Sequence, residues 1–343
     1  MRGNSGLRRQ RLAEGETPSL PGMRKNSAFW LQCLLGLALV ALVVLVFRTT
    51  QSNLELLGVQ SGFDFLWKKA GFSISQHLIP YTEDSPIWVA LAVAILNTLL
   101  LAVFCIFLAS LLGLAVGIGR LSSNWLVSRL SLAYLELFRN IPVLLQIFFW
   151  YYVALRALPS LESSIFITDY LVLNNRGLYF PFIEFANGFA ISPPVPGRFA
   201  YEGGFYLMPE FLALWIGLSL YNGSYISEIV RSGFQSVARG QWEAGAALGL
   251  KPATVLRRVA LPQALRAVLP PLTTVYMNMF KATSLAAAIA YPEIVSVFVG
   301  TVNNLAGRPV EVMAVSLVFY AGVSFLVAWL MGRWNKRVTM RGQ

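Results

Sequence analysis

Residues 87–118 read IWVALAVAILNTLLLAVFCIFLASLLGLAVGI, thirty-two positions without one charged side chain. A helix needs roughly 20 mostly apolar residues to cross the hydrocarbon of a bilayer, so this run spans it with residues left over for tilt or a cytoplasmic extension. Five more stretches follow the same rule: 29–47, 141–155, 211–227, 268–290 and 312–332. The 141–155 run is short, with room to extend backward through the amphipathic stretch 131–138, and 268–290 is interrupted only by Lys281. The expectation is an all-α integral membrane protein with six transmembrane helices. Composition agrees: 56% of the 343 residues are apolar and 13% charged, where a soluble domain carries about 25% charged residues.

The net charge of +11 raises the possibility of a nucleic-acid partner. Its placement argues against one. Nineteen of the 27 Lys and Arg fall in the tail from Arg2 to Lys25, at Arg120, Arg129 and Arg139, between Arg231 and Arg266, and at Arg333, Lys336, Arg337 and Arg341. Seven fall in the alternate segments, at Arg48, Lys68, Lys69, Arg156, Arg176, Arg198 and Arg308. Basic residues accumulate on the cytoplasmic side of spanning segments, so both termini are expected in the cytoplasm and the basic excess is a topology signal. The expected surroundings are lipid, with no nucleic acid. The first apolar run exceeds a signal-peptide core and no small-residue cleavage site follows it, so it reads as a retained helix. Cys33 and Cys105 both lie in apolar runs, and a single His77 builds no zinc site alone; no metal or cofactor is expected.

The chain therefore divides into a polar, basic and disordered cytoplasmic tail (1–28), a first transmembrane helix (29–47), an outside loop (48–86), a membrane domain (87–335) and a short cytoplasmic tail (336–343). The membrane domain carries an outside insert, 159–207, rich in Pro, Gly and aromatics. Its run Pro193-Pro194-Val195-Pro196-Gly197 is incompatible with helix or central strand, and the mostly apolar 165–173 is too short to cross.

The most informative cytoplasmic stretch is 241–262, QWEAGAALGLKPATVLRRVALP. Residues 241–248 are rich in good helix formers, with Glu243 expected in the first turn where a carboxylate suits the helix dipole. Gly249 falls at the helix C-terminus, where a left-handed backbone is tolerated. Pro252 suits the first turn of a second helix, and Leu261-Pro262 is expected to stop it. The result is a compact two-helix knob, 238–250 at its core, with Trp242, Leu248 and Leu250 available to fill a partner's groove.

This pattern resembles the cytoplasmic signature of binding-protein-dependent ABC importer permeases: Glu243, Ala244, then Gly249 six residues after the glutamate, Val259, and Leu261-Pro262. Gly245 departs from it mildly, standing where a second alanine is usual. Further runs, YNGSYISEIV (221–230), LPQALRAVLPP (261–271), KATSLA (281–286) and LFRNIP (137–142), look like the polar amino-acid branch of these permeases, over roughly 87–335. The first helix and the long insert look like the subgroup for glutamate, glutamine, aspartate and general L-amino acids. The resemblance implies a five-helix permease core preceded by one extra helix, in the bacterial inner membrane. It implies three kinds of partner: an ATPase dimer, a second related permease and a periplasmic amino-acid-binding protein. It also implies an ATPase-coupling segment, 231–262, with Glu243, Ala244, Gly245, Gly249, Leu261 and Pro262 as its signature residues. No Gly-x-x-x-x-Gly-Lys-Ser/Thr phosphate loop occurs, so ATP hydrolysis is expected in another polypeptide.

An ionisable residue within a span is by default a functional candidate. Lys281, with Thr283, Ser284 and Asn278 nearby, is the candidate substrate pathway; the blander reading is a snorkelling or structurally paired lysine. Asn97, Gln146, Asn222, Asn278 and Asn303 read more readily as interhelical glue, and Glu228 as a structural pair. The rival function is an ion-gradient-driven secondary amino-acid transporter. It calls for matched inverted repeats or broken helices in two halves, and the sequence displays neither.

Overall fold

The computed structural model describes residues 25–56, 62–168, 170–184, 190–197, 201–202 and 204–340. Most of the expected tail 1–28, part of the insert and residues 341–343 lie outside the described residues. The chain divides into two units, the first ending at Ser61 and the second beginning at Gly62. The first unit contributes helix α1, Lys25–Leu56, whose apolar stretch Phe29–Thr50 is long enough to cross a membrane. This helix runs beyond the expected 29–47 at both ends.

In the second unit a 3-10 turn, Asp64–Trp67, precedes α2, Ile87–Gly119. Then come α3, Trp125–Asn140, and α4, Val143–Ala157. The insert follows, and after it α5, Pro209–Gln235, α6, Arg239–Ala247, and α7, Pro252–Val255. Next are α8, Leu261–Ala282, a short α9, Asn303–Ala306, and α10, Pro309–Met340.

The all-α membrane class holds, whereas the count of six spans does not follow from the geometry. Among the described residues three helices are long and apolar enough to cross, Phe29–Thr50, Ile87–Gly119 and Pro309–Val338, and a fourth span arises if α3 and α4 are taken as one broken unit. The backward extension of 141–155 is not a straight helix: α3 and α4 meet at 103°. Asn140, Ile141 and Pro142 break the chain there, since proline disfavours helical backbone in the residue before it. Gln146 bridges the corner, donating through Nε2 to the Phe138 and Ile141 carbonyls at 2.8 and 2.9 Å.

The insert holds the strands that the apolar pattern did not assign. Four form an antiparallel sheet in the order β1 (Ile165–Thr168), β2 (Leu171–Asn174), β3 (Gly177–Phe180), β8 (Phe205–Leu207). Two small ribbons, β4 (Phe182–Glu184) with β5 (Ala190–Ser192) and β6 (Val195–Pro196) with β7 (Tyr201–Glu202), complete it. Pro196 sits in a two-stranded ribbon, where the missing amide costs no interior pairing. These strands are two to four residues long, too short for alternation to register against the aromatic background.

The core forms where α2 crosses α5. Gly113 and Gly117 allow it: a Cβ on Gly113 would stand 2.5 Å from Ile226 Cβ, and one on Gly117 2.8 Å from Val230 Cβ. Glycines four apart let two backbones approach this closely in a membrane protein, so the GLAVG run at 113–117 is a packing motif. At the same end Glu228 of α5 is paired with Arg120, the residue that caps α2, and with Arg231, whose Nε stands 3.3 Å from Glu228 Oε2. The expected structural pairing of Glu228 is what the structure has.

Candidate functional site

The 239–262 segment forms the expected knob, with three differences. Helix α6 begins at Arg239, so Glu243 lies beyond the first turn. Its carboxylate instead accepts from Arg239 Nε at 3.0 Å, one turn earlier, and both side chains remain exposed. Trp242 is turned inward, packing against Val237, Ala260 and Ala264, because an indole covers more apolar surface than the knob's small residues can. Leu248 and Leu250 remain exposed and are the apolar tips.

The turn closes as the glycine predicted. Gly249 has φ +70°, its N–H donates to Ala246 O at 2.9 Å, and Leu250 N–H donates to Gly245 O at 3.1 Å. These are the paired bonds of a Schellman end. Gly245 is buried under Val255, and a Cβ there would stand 2.6 Å from Val255 Cγ2. The departure from alanine is thus matched to a β-branched neighbour across the turn. Ala244 is exposed beside Glu243.

Leu261-Pro262 does not stop the second helix. The chain passes from α7 through a π-helical turn, Leu256–Ala260, straight into α8. A proline removes one backbone donor and crowds the carbonyl four residues before it; the wider turn, in which Leu261 N–H reaches back to Leu256 O, absorbs that mismatch.

Lys281 occupies the last turn of α8 with its side chain exposed, on the same face as exposed Asn278 and Thr274. Thr283 and Ser284 do not join them. The chain tightens into a 3-10 segment, Thr283–Ile289; buried Thr283 donates to Phe280 O at 2.7 Å, and Ser284 donates to Lys281 O at 2.8 Å. Of the four candidate pathway residues, Lys281 and Asn278 are exposed on one face, Ser284 is half-buried beside the Lys281 carbonyl and Thr283 is buried.

The 3-10 segment ends at Ala290, in the left-handed conformation at φ 57°, and the chain then breaks before the short apolar helix Val295–Ala306. Backbone groups freed within a membrane protein must find partners, and side chains supply several here. Asn97 Nδ2 donates to Pro292 O at 3.0 Å, and also to Gln76 O at 2.8 Å. Thr98 Oγ1 accepts from Ile294 N–H at 3.1 Å. The Glu293 carboxylate accepts from the Val295 and Ser296 amides at 2.8 and 2.7 Å, and from Tyr320 hydroxyl at 3.0 Å. Gln76 links Tyr291 hydroxyl to Met208 N–H, at 3.1 Å each. Asn97 was legible as polar glue; Gln76 and Glu293 were not, for both lie outside the apolar runs.

On known proteins, residues 109–340 match the family model described as binding-protein-dependent transport system inner membrane component. The general L-amino acid transport system permease protein AapQ of Rhizobium johnstonii is 38% identical, over 92% of this chain and 93% of that protein. The glutamate/glutamine/aspartate/asparagine transport system permease protein BztB of Rhodobacter capsulatus is 30% identical, over 91% and 93%. The fold is similar to a crystal structure of an amino acid ABC transporter with histidines, at TM-score 0.54 and 20% identity, over 73% of this chain and 94% of that one.

Proposed function

Because this chain belongs to the family of binding-protein-dependent transport system inner membrane components, we propose that it is the permease subunit of an ATP-binding-cassette importer for polar L-amino acids. The observation that carries the substrate class is the alignment, over nine-tenths of both chains, with permeases named for general L-amino acids and for glutamate, glutamine, aspartate and asparagine. The chain is a multi-pass protein of the inner membrane, with both termini assigned to the cytoplasm by the distribution of basic residues. The ATPase docks on the knob 238–250: Glu243 and Ala244 offer a small, charged face, Leu248 and Leu250 an apolar tip, and the Schellman end holds the two together.

A second, related permease covers the α8 face bearing Thr274, Asn278 and Lys281. Polar and charged side chains are costly against lipid, and this row is exposed in the single chain. A periplasmic amino-acid-binding protein delivers substrate to the outer side. Lys281 holds the α-carboxylate of the passing amino acid, since an uncompensated charge there costs several kcal/mol.

Uptake of labelled amino acids into vesicles containing the permeases, the ATPase, binding protein and ATP tests the proposal; absence of uptake across a panel of glutamate, glutamine, aspartate and arginine would overturn it. Within that assay, Lys281→Met is expected to raise the apparent KM for every substrate, normalised to assembled complex. An unchanged KM with less complex in the membrane would make Lys281 a structural charge.

A further inference from the structure

The insert meets the start of α5 around a cavity of about 420 Å³, within the range of roughly 300–1,000 Å³ of small-molecule sites. Two charged groups of opposite sign line it from different elements. Arg176 stands at the tip of the β2–β3 hairpin, its side chain exposed. The tip is fixed by Asn174, whose Oδ1 accepts from Arg176 N–H at 2.8 Å, and by Asn175 N–H donating to Pro159 O at 2.8 Å. Glu210 stands in the first turn of α5. One of its oxygens has only a long contact, 3.5 Å, from Tyr151 hydroxyl, and the other, Oε2, is buried without a hydrogen-bond donor among the described residues.

Tyr179, Tyr201 and Tyr206 line the same cavity. Tyr179 stacks on Tyr206 with ring centroids 5.6 Å apart and packs tilted, at 46°, against Tyr201 at 5.2 Å. Tyr206 is itself fixed by donating to the Ser75 carbonyl. A carboxylate held by one long contact alone, aromatic faces that attract cations, and a guanidinium able to grip a carboxylate are the complement of one ligand class. We infer that this cavity is an outer subsite for a free zwitterionic α-amino acid, its ammonium on Glu210 and the tyrosine faces and its carboxylate on Arg176. It would stage substrate between release at the outer surface and entry to the membrane path. The inference rests on the amino-acid reading above, and its test reads out separately.

Asn175→Cys places a thiol in the cavity wall while its backbone anchor to Pro159 is unaffected. In the assembled transporter in nanodiscs, without binding protein or ATP, the rate of its modification by an impermeant methanethiosulfonate is measured with and without L-glutamine, the wild-type chain controlling for Cys33 and Cys105. L-Glutamine is expected to slow modification. The isosteric Glu210→Gln, and separately the exposed Arg176→Met, should each raise the protecting concentration about tenfold, the equivalent of 1.4 kcal/mol. The decarboxylated amine of glutamine should protect poorly. Absence of protection, or protection of either variant at the wild-type concentration, would overturn the subsite; uptake of the amino-acid panel by the same complex reports independently on the transport reading.

Discussion

Gly249 bears a backbone demand that no β-branched side chain meets cheaply. At φ +70° an L-residue with a Cβ costs roughly 1–2 kcal/mol, and the two turn-closing bonds depend on that angle. Gly249→Val is expected to abolish uptake while the permease still inserts, read as transport normalised to membrane level by immunoblot; normal uptake would remove the docking role of the knob. Gly245 gives a finer test. Overpacking costs about 1–3 kcal/mol, so Gly245→Ala should weaken ATPase stimulation, and adding Val255→Ala should restore most of it. Additive losses in the double variant would contradict the contact. The glycine at 249 was legible because the left-handed turn is a local requirement. The reason for glycine at 245 was not, because it lies in a side chain ten residues away across the turn.

Among the elements, the broken segment after α8 depends most on borrowed hydrogen bonds. Asn97 alone supplies two, to Gln76 and Pro292, and a buried acceptor left unpaired costs about 1–3 kcal/mol. Asn97→Leu is therefore expected to lower the thermal midpoint of the detergent-solubilised protein and to speed proteolysis near 290–294, whereas Asn97→Asp, lacking the amide donor, should do no better. An unchanged midpoint would mean that other donors take over. Long apolar helices could be read from the sequence because lipid imposes a length and a polarity on them. The α3–α4 corner, the π-turn before Pro262 and the strands of the insert could not. Each is fixed by hydrogen bonds between groups separated by a turn or more, which a hydropathy profile averages away.

For the whole molecule, the asymmetry of basic residues points to an orientation, both termini in the cytoplasm, that impermeant thiol labelling of intact cells tests. Cysteines at Asn53 and Val195 should react from outside, and one at Lys251 should not; labelling of the last in cells with an intact inner membrane would reverse the topology. The orientation puts the knob and the outer cavity at opposite ends of one element. Helix α5 has 27 residues and a length of about 40 Å. It is pressed against α2 through Gly113 and Gly117 and tied to it by Glu228, so the two behave as a stiff beam. Only Ser236, Val237 and Ala238 separate this beam from α6. Taken as one rigid rod, α5 tilting by about 5° about its inner end would carry Glu210 some 3 Å sideways, enough to open or shut a hydrogen bond without unfolding a single turn.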